Sequence, residues 1–581
     1  MAAEIINWRE WGEGAFAEAA KSDKLILLDI SAVWCHWCHV MDETSYSDHA
    51  IAELVNGRYV PVRVDTDRMP DVNERYNMGG WPTTAVMTPG GEVLLGATYV
   101  PPDKLKEALT SLDSFYHENK DEIKVRIEQL KAKKLADYGE AITVPPGDVT
   151  ENITAYVLEE LDRNYDPVHG GFGIDPKFPL PDALDLLLTA YKDTGRQDYL
   201  SMAEKTMEGM SGYGMYDQVM GGFFRYSVTR DWSVPHFEKM TESNSGLIVN
   251  CIDLYRLTGS TRFMDTIKKT LDYVDAWLWS DAGHFCGSQD ADEEYYKLDM
   301  DERQKRKAPY VDKTAYANLN AKMAVAYMHA YELLGGAAYR DKALAALDFV
   351  LTNMLGAKGG LYHYYDGKPG RSCLLSDQSA MVKALLSAFQ TTGVRRWLDE
   401  AVKLITFMDD TYWDGEHGGG YFDLPDDPEA VGALKYRVKP MNENAEIAAA
   451  LKALYVITGD ERYRDRAYDC LLPHSKAYRE FGFMAAGYAL AVDYVLKPET
   501  EVTVVGGEGA DDTGALIRAV NEVFIPRRIL RVLYYERDKD EIGQRGYNTS
   551  GRAAAYICRE SVCTARVEDA GELKKKLRDT K

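Results

Sequence analysis

Two cysteines three residues apart, at the end of an apolar run, carry the most specific chemistry in this chain. Asp29 to Met41 reads D-I-S-A-V-W-C-H-W-C-H-V-M, which places Cys35 and Cys38 in a C-x-x-C. Leu25 to Ile30 has the character of a buried strand, and the residues from Cys35 to Val55 that of the helix after it. Thiols at such a junction fall in the first helical turn. There, unpaired backbone N–H groups and the positive end of the helix dipole stabilise a thiolate. His36 and His39 lie in the same turn and could add positive charge when protonated. Asp29, upstream on the strand, is placed to move a proton to or from Cys38. Pro82 follows Trp81 at the head of another predicted strand, where a cis proline would lie opposite the thiols and present backbone to an extended substrate. Trp34, Trp37 and Trp81 complete an aromatic surround.

Four chemistries fit C-H-W-C-H. In a thioredoxin-like redox pair, Cys35 is the exposed nucleophile and Cys38 resolves the mixed disulfide. Covalent c-type haem uses C-x-x-C-H, but needs export and a haem-binding fold, and neither the N-terminus nor the preceding strand suits it. Zinc could take Cys35, Cys38 and one histidine, yet no second C-x-x-C supplies a closed set of four ligands. An inert structural pair conflicts with an exposed helix start. The redox reading is preferred. It requires no cofactor beyond the Cys35–Cys38 disulfide, and its partner is a protein or small-molecule disulfide.

The elements that hold this motif form an N-terminal unit, residues 1–138. Strands are predicted at 59–65 and 83–87, the latter joined through Pro89-Gly90-Gly91 to 92–95, and a charged helix follows from Asp103 to about Leu135. A linker rich in proline is expected at 139–150. Residues 151–497 are helical and repetitive. An aromatic residue followed by a helix-ending glycine recurs at Gly195, Gly259, Gly335, Gly393 and Gly459, each suited to a left-handed C-cap. A turn followed by an aromatic interleaves with it at Phe172, Phe223, Phe285, Tyr362, Tyr421 and Phe483. Six such turns imply about twelve helices, and closure into an α/α toroid is favoured over an open array. Residues 498–581 read as a small α/β unit carrying Cys558 and Cys563, expected as buried structural thiols rather than a relay disulfide. The predicted class is multidomain α/β plus all-α.

Bulk properties exclude several functions. The 581 residues carry 92 acidic and 68 basic side chains, a net charge of -24. No cationic field for nucleic acid exists, and an anionic membrane would repel this surface. The first residues lack a basic and apolar leader, and eight cysteines are too few for a disulfide-stapled secreted fold. The chain is therefore expected in the cytoplasm.

Longer motifs carry a family resemblance. N-W-R-E-W-G-E-G-A-F at 7–16, C-H-W-C-H-V-M, G-G-W-P at 79–82, G-G-F-G-I-D-P-K-F-P at 170–179, Y-D-Q-V-M-G-G-F-F-R-Y-S at 216–227, W-S-V-P-H-F-E-K-M at 232–240 and Q-D-A-D at 289–292 resemble the spermatogenesis-associated protein 20 family. The resemblance runs along nearly the whole chain. It implies an N-terminal thioredoxin-like domain followed by a six-hairpin, glycosidase-like toroid.

The toroid suggests a second site. Lys177, Asp217, Arg225, His236, Glu238, Asp290 and Asp292 fall in loops and helix starts beside the glycine turns. Glu238 with Asp290 or Asp292 could supply the acid and base of a glycoside hydrolase, and His236 could serve as the base of a sugar epimerase or isomerase. Aromatic turns could stack on a carbohydrate ring. Equally, these groups could cap helices and stitch loops together. Departures from the family pattern at Thr241–Ser245, Leu319–Ala321 and Met441–Asn444 point to a changed or lost toroid site. A non-catalytic ligand-binding role stands as a further alternative.

Overall fold

Leu25–Ser31 (β1) is buried along all but its last residue, because it is the central strand of a four-stranded sheet. A computed structural model describes residues 5–143, 147–548, 551–559, 562–563 and 566–580. β1 pairs in parallel with Tyr59–Asp65 (β2), from Leu25↔Tyr59 to Ser31↔Asp65. It pairs antiparallel with Thr83–Met87 (β3), from Ile26↔Met87 to Ile30↔Thr83. Val93–Ala97 (β4) closes the order β2-β1-β3-β4 as an edge. Helices on both faces explain why β1 reads as a continuous apolar run.

The single helix expected over Cys35–Val55 is two helices, His36–Glu43 and His49–Arg58. The break occurs because Asp48 caps the second one, its carboxylate accepting from the N–H groups of Ala50 (2.8 Å) and Ile51 (3.0 Å). The charged helix is likewise two, Pro102–Glu118 and Lys120–Thr143, so helix extends into the segment expected as linker.

The chain forms two compact units. One comprises Met1–Pro145 with Asp290–Asp292 and Leu424–Val438; the other holds the remaining segments. In the larger unit the inner helices are Pro181–Thr194, Thr241–Thr258, Ala317–Leu334, Leu375–Thr392, Met441–Thr458 and Ala486–Leu496. Each packs against the next, and the last returns to the first, so the ring closes. Outer helices between them complete an (α/α)6 toroid. The glycines at 195, 259, 335, 393 and 459 end inner helices with φ between 65° and 76°, each donating its N–H back to an aromatic carbonyl four residues earlier.

The aromatic turns serve packing. Phe172, Phe223, Phe285 and Tyr421 are buried, and the following inner helix clamps three of these turns with an asparagine. Asn244 accepts from Phe223 N–H at 2.7 Å and donates to its carbonyl at 3.0 Å. Asn320 does the same for Phe285, and Asn444 for Tyr421. Gln378 takes this place opposite Leu361.

The C-terminal α/β part adds Thr500–Gly506 (β5), Arg528–Tyr534 (β6), Ala554–Arg559 (β7) and Val562–Cys563 (β8), in the order β6-β5-β7-β8. It is fastened to the toroid by Arg528–Glu332 (2.9 Å) and by Arg531 donating to the Ile457 carbonyl (2.8 Å). Cys558 and Cys563, expected as thiols, are joined in a disulfide, because they stand directly opposite each other in the β7/β8 register. Among the described residues, no helix is long and apolar enough to cross a membrane.

Candidate active site

The strand-to-helix junction places Cys35 at the N-cap of His36–Glu43, where its Sγ accepts from Cys38 N–H at 3.2 Å. The two sulfurs are bonded to each other. Both residues are buried, Cys35 to 4% exposure, which corrects the expectation of an exposed nucleophile. The Cys35 sulfur folds back over the first helical turn to reach Cys38, whereas His36, Trp37 and His39 face outward. On reduction, the same N–H would solvate a Cys35 thiolate.

Trp34 and Trp81 bring the proline segment to the motif. Their rings meet edge to face, 5.5 Å between centroids. Trp34 Nε1–H donates to Asp67 at 2.6 Å, and Trp81 Nε1–H donates to Asn73 at 3.2 Å. The Trp81–Pro82 peptide is cis. Trp37 leans on Tyr99 with ring centroids 5.2 Å apart.

Asp29 lies beneath, 1% exposed. Burial pushes its carboxyl up to about 6, while the Arg63 guanidinium pulls it down and Asp42 pushes it up again. Arg63 Nε–H donates to Asp29 at 2.7 Å, and the Tyr46 hydroxyl donates to it at 3.4 Å. A carboxyl with this poise exchanges protons near neutrality.

Asp290 belongs with this unit and not with the toroid pocket proposed from sequence. Its carboxylate lies 3.3 Å from His39 Nε2, and this hydrogen bond is the main reason the imidazole is held above its ordinary value. Asp292 groups with the same unit.

The remaining toroid candidates separate into two sets. Lys177 and Asp217 are structural. Lys177 is fully buried, 2.7 Å from Asp166 and 2.6 Å from the Gly170 carbonyl. Asp217 receives Lys239 and Arg303, each at 2.7 Å, and Lys239 also donates to the Gly221 carbonyl at 2.7 Å. Lys439 repeats the clip on Asp414 (2.8 Å) and the Gly419 carbonyl (2.6 Å). In these three glycine turns an aspartate opens the turn and a lysine from the following segment locks it, so these charges serve to fold the loops. Burial pulls the Lys239 ammonium down to about 8, against the pull of Asp217.

Arg225, His236 and Glu238 do come together. The His236 ring stacks on Tyr226 (4.4 Å, 17°), which stacks in turn on the exposed Phe178 (4.6 Å, 22°). The Arg225 guanidinium lies 5.4 Å from the Tyr226 ring centre. Glu238 is 3% exposed, with Oε1 3.7 Å from His236 Nδ1. Its Oε2 is buried without a hydrogen-bond partner among the described residues.

Sequence reasoning missed a second charged set on the N-terminal halves of the inner helices. Glu242 pairs with Lys322. Lys383 lies 3.4 Å from Glu446, whose other oxygen accepts from the Ser379 hydroxyl at 3.0 Å. Asp185 accepts from Asn250 at 2.6 Å. The Glu242 and Lys383 side chains keep 60% and 58% of their surface. Burial pushes Asp185 up to about 8 and raises Asp182 and Glu443. The signal available in the sequence was a charged residue recurring in the N-terminal halves of otherwise apolar helices. Among the described residues, no group of three or more His, Cys, Asp or Glu is arranged to hold a metal ion.

A family model described as Thioredox_DsbH, a protein of unknown function (DUF255), matches residues 1–135. Human spermatogenesis-associated protein 20 is 25% identical over 98% of this chain and 90% of its own length. The chain is thus similar to spermatogenesis-associated protein 20 along nearly its whole length. Thioredoxin H2 from Arabidopsis thaliana is 31% identical over 99 residues, covering 17% of this chain and 69% of that protein. Among solved structures, a sugar epimerase from a ruminal bacterium is similar over 56% of this chain and 86% of its own, at 16% identity and a TM-score of 0.47. The similarity to spermatogenesis-associated protein 20 spans the C-x-x-C unit, the toroid and the C-terminal part.

Proposed function

We propose that this protein is a thiol–disulfide oxidoreductase acting through Cys35 and Cys38. The observation that carries this reading is the cysteine pair at a helix N-cap with the Trp81-Pro82 segment packed on it through Trp34. Reduced Cys35, solvated by the helix N-terminus, attacks a substrate disulfide. One substrate sulfur leaves as a thiolate, the other forms a mixed disulfide with Cys35, and Cys38 then attacks Cys35 Sγ to release it. Asp29 takes the Cys38 proton in that second step. The substrate is a protein or small-molecule disulfide, and the chemistry draws on no bound cofactor. Reduction of insulin disulfides by the full chain, in the presence of a recycling thiol, tests this. Loss of turnover in Cys35→Ser supports the reading, and unchanged turnover in that variant overturns it.

A second activity in the toroid is favoured by one specific observation, the unsatisfied buried oxygen of Glu238 beside the His236–Tyr226–Phe178 stack. A carbohydrate ring would cover the accessible aromatic faces of this stack. Thermal-shift measurements with a sugar panel test it. Stabilisation by a sugar that disappears in Glu238→Gln and His236→Ala supports this site, and stabilisation indifferent to both substitutions removes it.

A further inference from the structure

The C-terminal sheet repeats the connectivity of the N-terminal one. In each, the first strand is central, runs parallel to the second over seven paired positions and antiparallel to the third over five, and the fourth strand forms the edge. Helices occupy corresponding places: Asp511–Asn521 follows β5, Lys539–Gln544 lies between β6 and β7, and Ala570–Asp579 follows β8. The chain therefore carries a second thioredoxin-type sheet at its other end.

The corresponding junction of this second sheet holds no cysteine. At the junction after β5, where the N-terminal unit has Cys35, the helix N-cap is Ala510, followed by Asp511 and Asp512. Ala553 immediately precedes β7, as Pro82 immediately precedes β3. The Asp512 carboxylate accepts from Ala553 N–H at 3.0 Å and from Thr513 N–H at 2.8 Å. A carboxylate thus ties helix start to strand start where the first copy sets a disulfide.

The cysteines of this copy lie on its outer hairpin instead. Cys558 on β7 is buried at 6% exposure, whereas Cys563 and its neighbour Val562 on the two-residue edge strand are exposed. Their disulfide joins strands already paired at Cys558↔Cys563 and Arg559↔Val562. Such a bridge closes a very short loop, where cross-linking removes the least chain entropy and so stabilises least. An accessible disulfide with little structural task is suited to exchange.

We propose that Cys558–Cys563 is a second thiol-exchange site, open to low-molecular-mass thiols at Cys563. A thiolate such as that of glutathione attacks Cys563 Sγ, and the Cys558–Cys563 bond breaks. Cys558 leaves as a thiolate and takes a proton from water. A second thiol then attacks the mixed disulfide, freeing the Cys563 thiolate and forming the donor's disulfide. The donor loses two electrons and the protein gains them. This inference does not rest on the activity of Cys35 and Cys38.

The test uses the full chain with Cys35→Ser and Cys38→Ser, so that the two sites are read separately. The protein is equilibrated without denaturant in glutathione buffers of graded reduced-to-oxidised ratio, alkylated and analysed by peptide mass. Both Cys558 and Cys563 should gain a label in reducing buffer and lose it in oxidising buffer. Cys558→Ala should accumulate one glutathione adduct, on Cys563, while Cys563→Ala leaves the buried Cys558 without one. A pair that stays bonded in reduced glutathione until denaturant is added overturns the proposal, as does a pair that is labelled in every buffer.

Discussion

Asp29→Asn separates the proton-transfer role of the buried carboxyl from the rest of the thiol site. With its carboxyl pushed up to about 6, about nine-tenths of Asp29 is ionised at pH 7 and about one-tenth at pH 5. If the ionised form takes the Cys38 proton, its contribution falls about tenfold between those pH values. Thiolate chemistry adds its own pH dependence, common to both proteins, so the ratio of wild-type to variant rate isolates Asp29. The assay forms a mixed disulfide between Cys35 and a chromogenic thiol, then follows release of that thiol by stopped flow. The ratio should drop about tenfold from pH 7 to pH 5, with an inflection near 6. Arg63 retains its hydrogen bond to Asp42 in the variant, which keeps the guanidinium paired. Stability gives a second readout of opposite sense. Asp29 ordinarily titrates at 3.8 and here near 6, so the folded state holds a proton that the unfolded chain has lost. Stability of the N-terminal unit should therefore fall as pH rises from about 4 to about 6 and level off above, by up to ~3 kcal/mol. Asp29→Asn removes that slope. A wild-type to variant rate ratio that stays flat across the pH range would refute proton transfer by Asp29.

Four other outcomes are expected. Lys177→Ala leaves Asp166 buried with only Arg230 and backbone N–H partners, and should lower toroid stability by ~3 kcal/mol in thermal or chemical denaturation, the usual cost of breaking a buried ion pair. Asn244→Ala strips both partners from the Phe223 backbone and should cost ~1–3 kcal/mol in the same measurement. Asp290→Asn removes the hydrogen bond that raises His39, so the imidazole should titrate at lower pH when followed by NMR. The helix N-terminus and His36 beside Cys35 predict a reduction potential above that of thioredoxin, about -270 mV, in a glutathione titration of the Cys35–Cys38 pair.

The thiol site was legible because its parts are local. Strand, cap and first helical turn follow one another in sequence, and only Pro82 had to be brought from elsewhere. The toroid was legible for a similar reason, since each glycine cap is a local backbone requirement and their recurrence gives the number of hairpins. The charged residues were misread where their meaning lies in a distant partner. Lys177 and Asp217 resemble site residues until Asp166 and Lys239 are seen to bury them in loop clips. Asp290 adjoins toroid residues in sequence but meets His39, 251 positions away. The charged set on the inner helices escaped notice because Glu242, Lys322, Lys383 and Glu446 contribute one charge apiece from helices that only the closed ring brings together. Cys558 and Cys563 were expected as separate thiols because the strand register that sets them opposite each other is not visible in the sequence.

Turnover of a protein disulfide by two double variants of the full chain tests the central claim most directly. Cys558→Ser with Cys563→Ser should reduce insulin at a rate close to that of the unaltered protein, whereas Cys35→Ser with Cys38→Ser should show none above the recycling thiol alone. Undiminished turnover in the Cys35/Cys38 double variant would contradict the assignment of oxidoreductase activity to that pair.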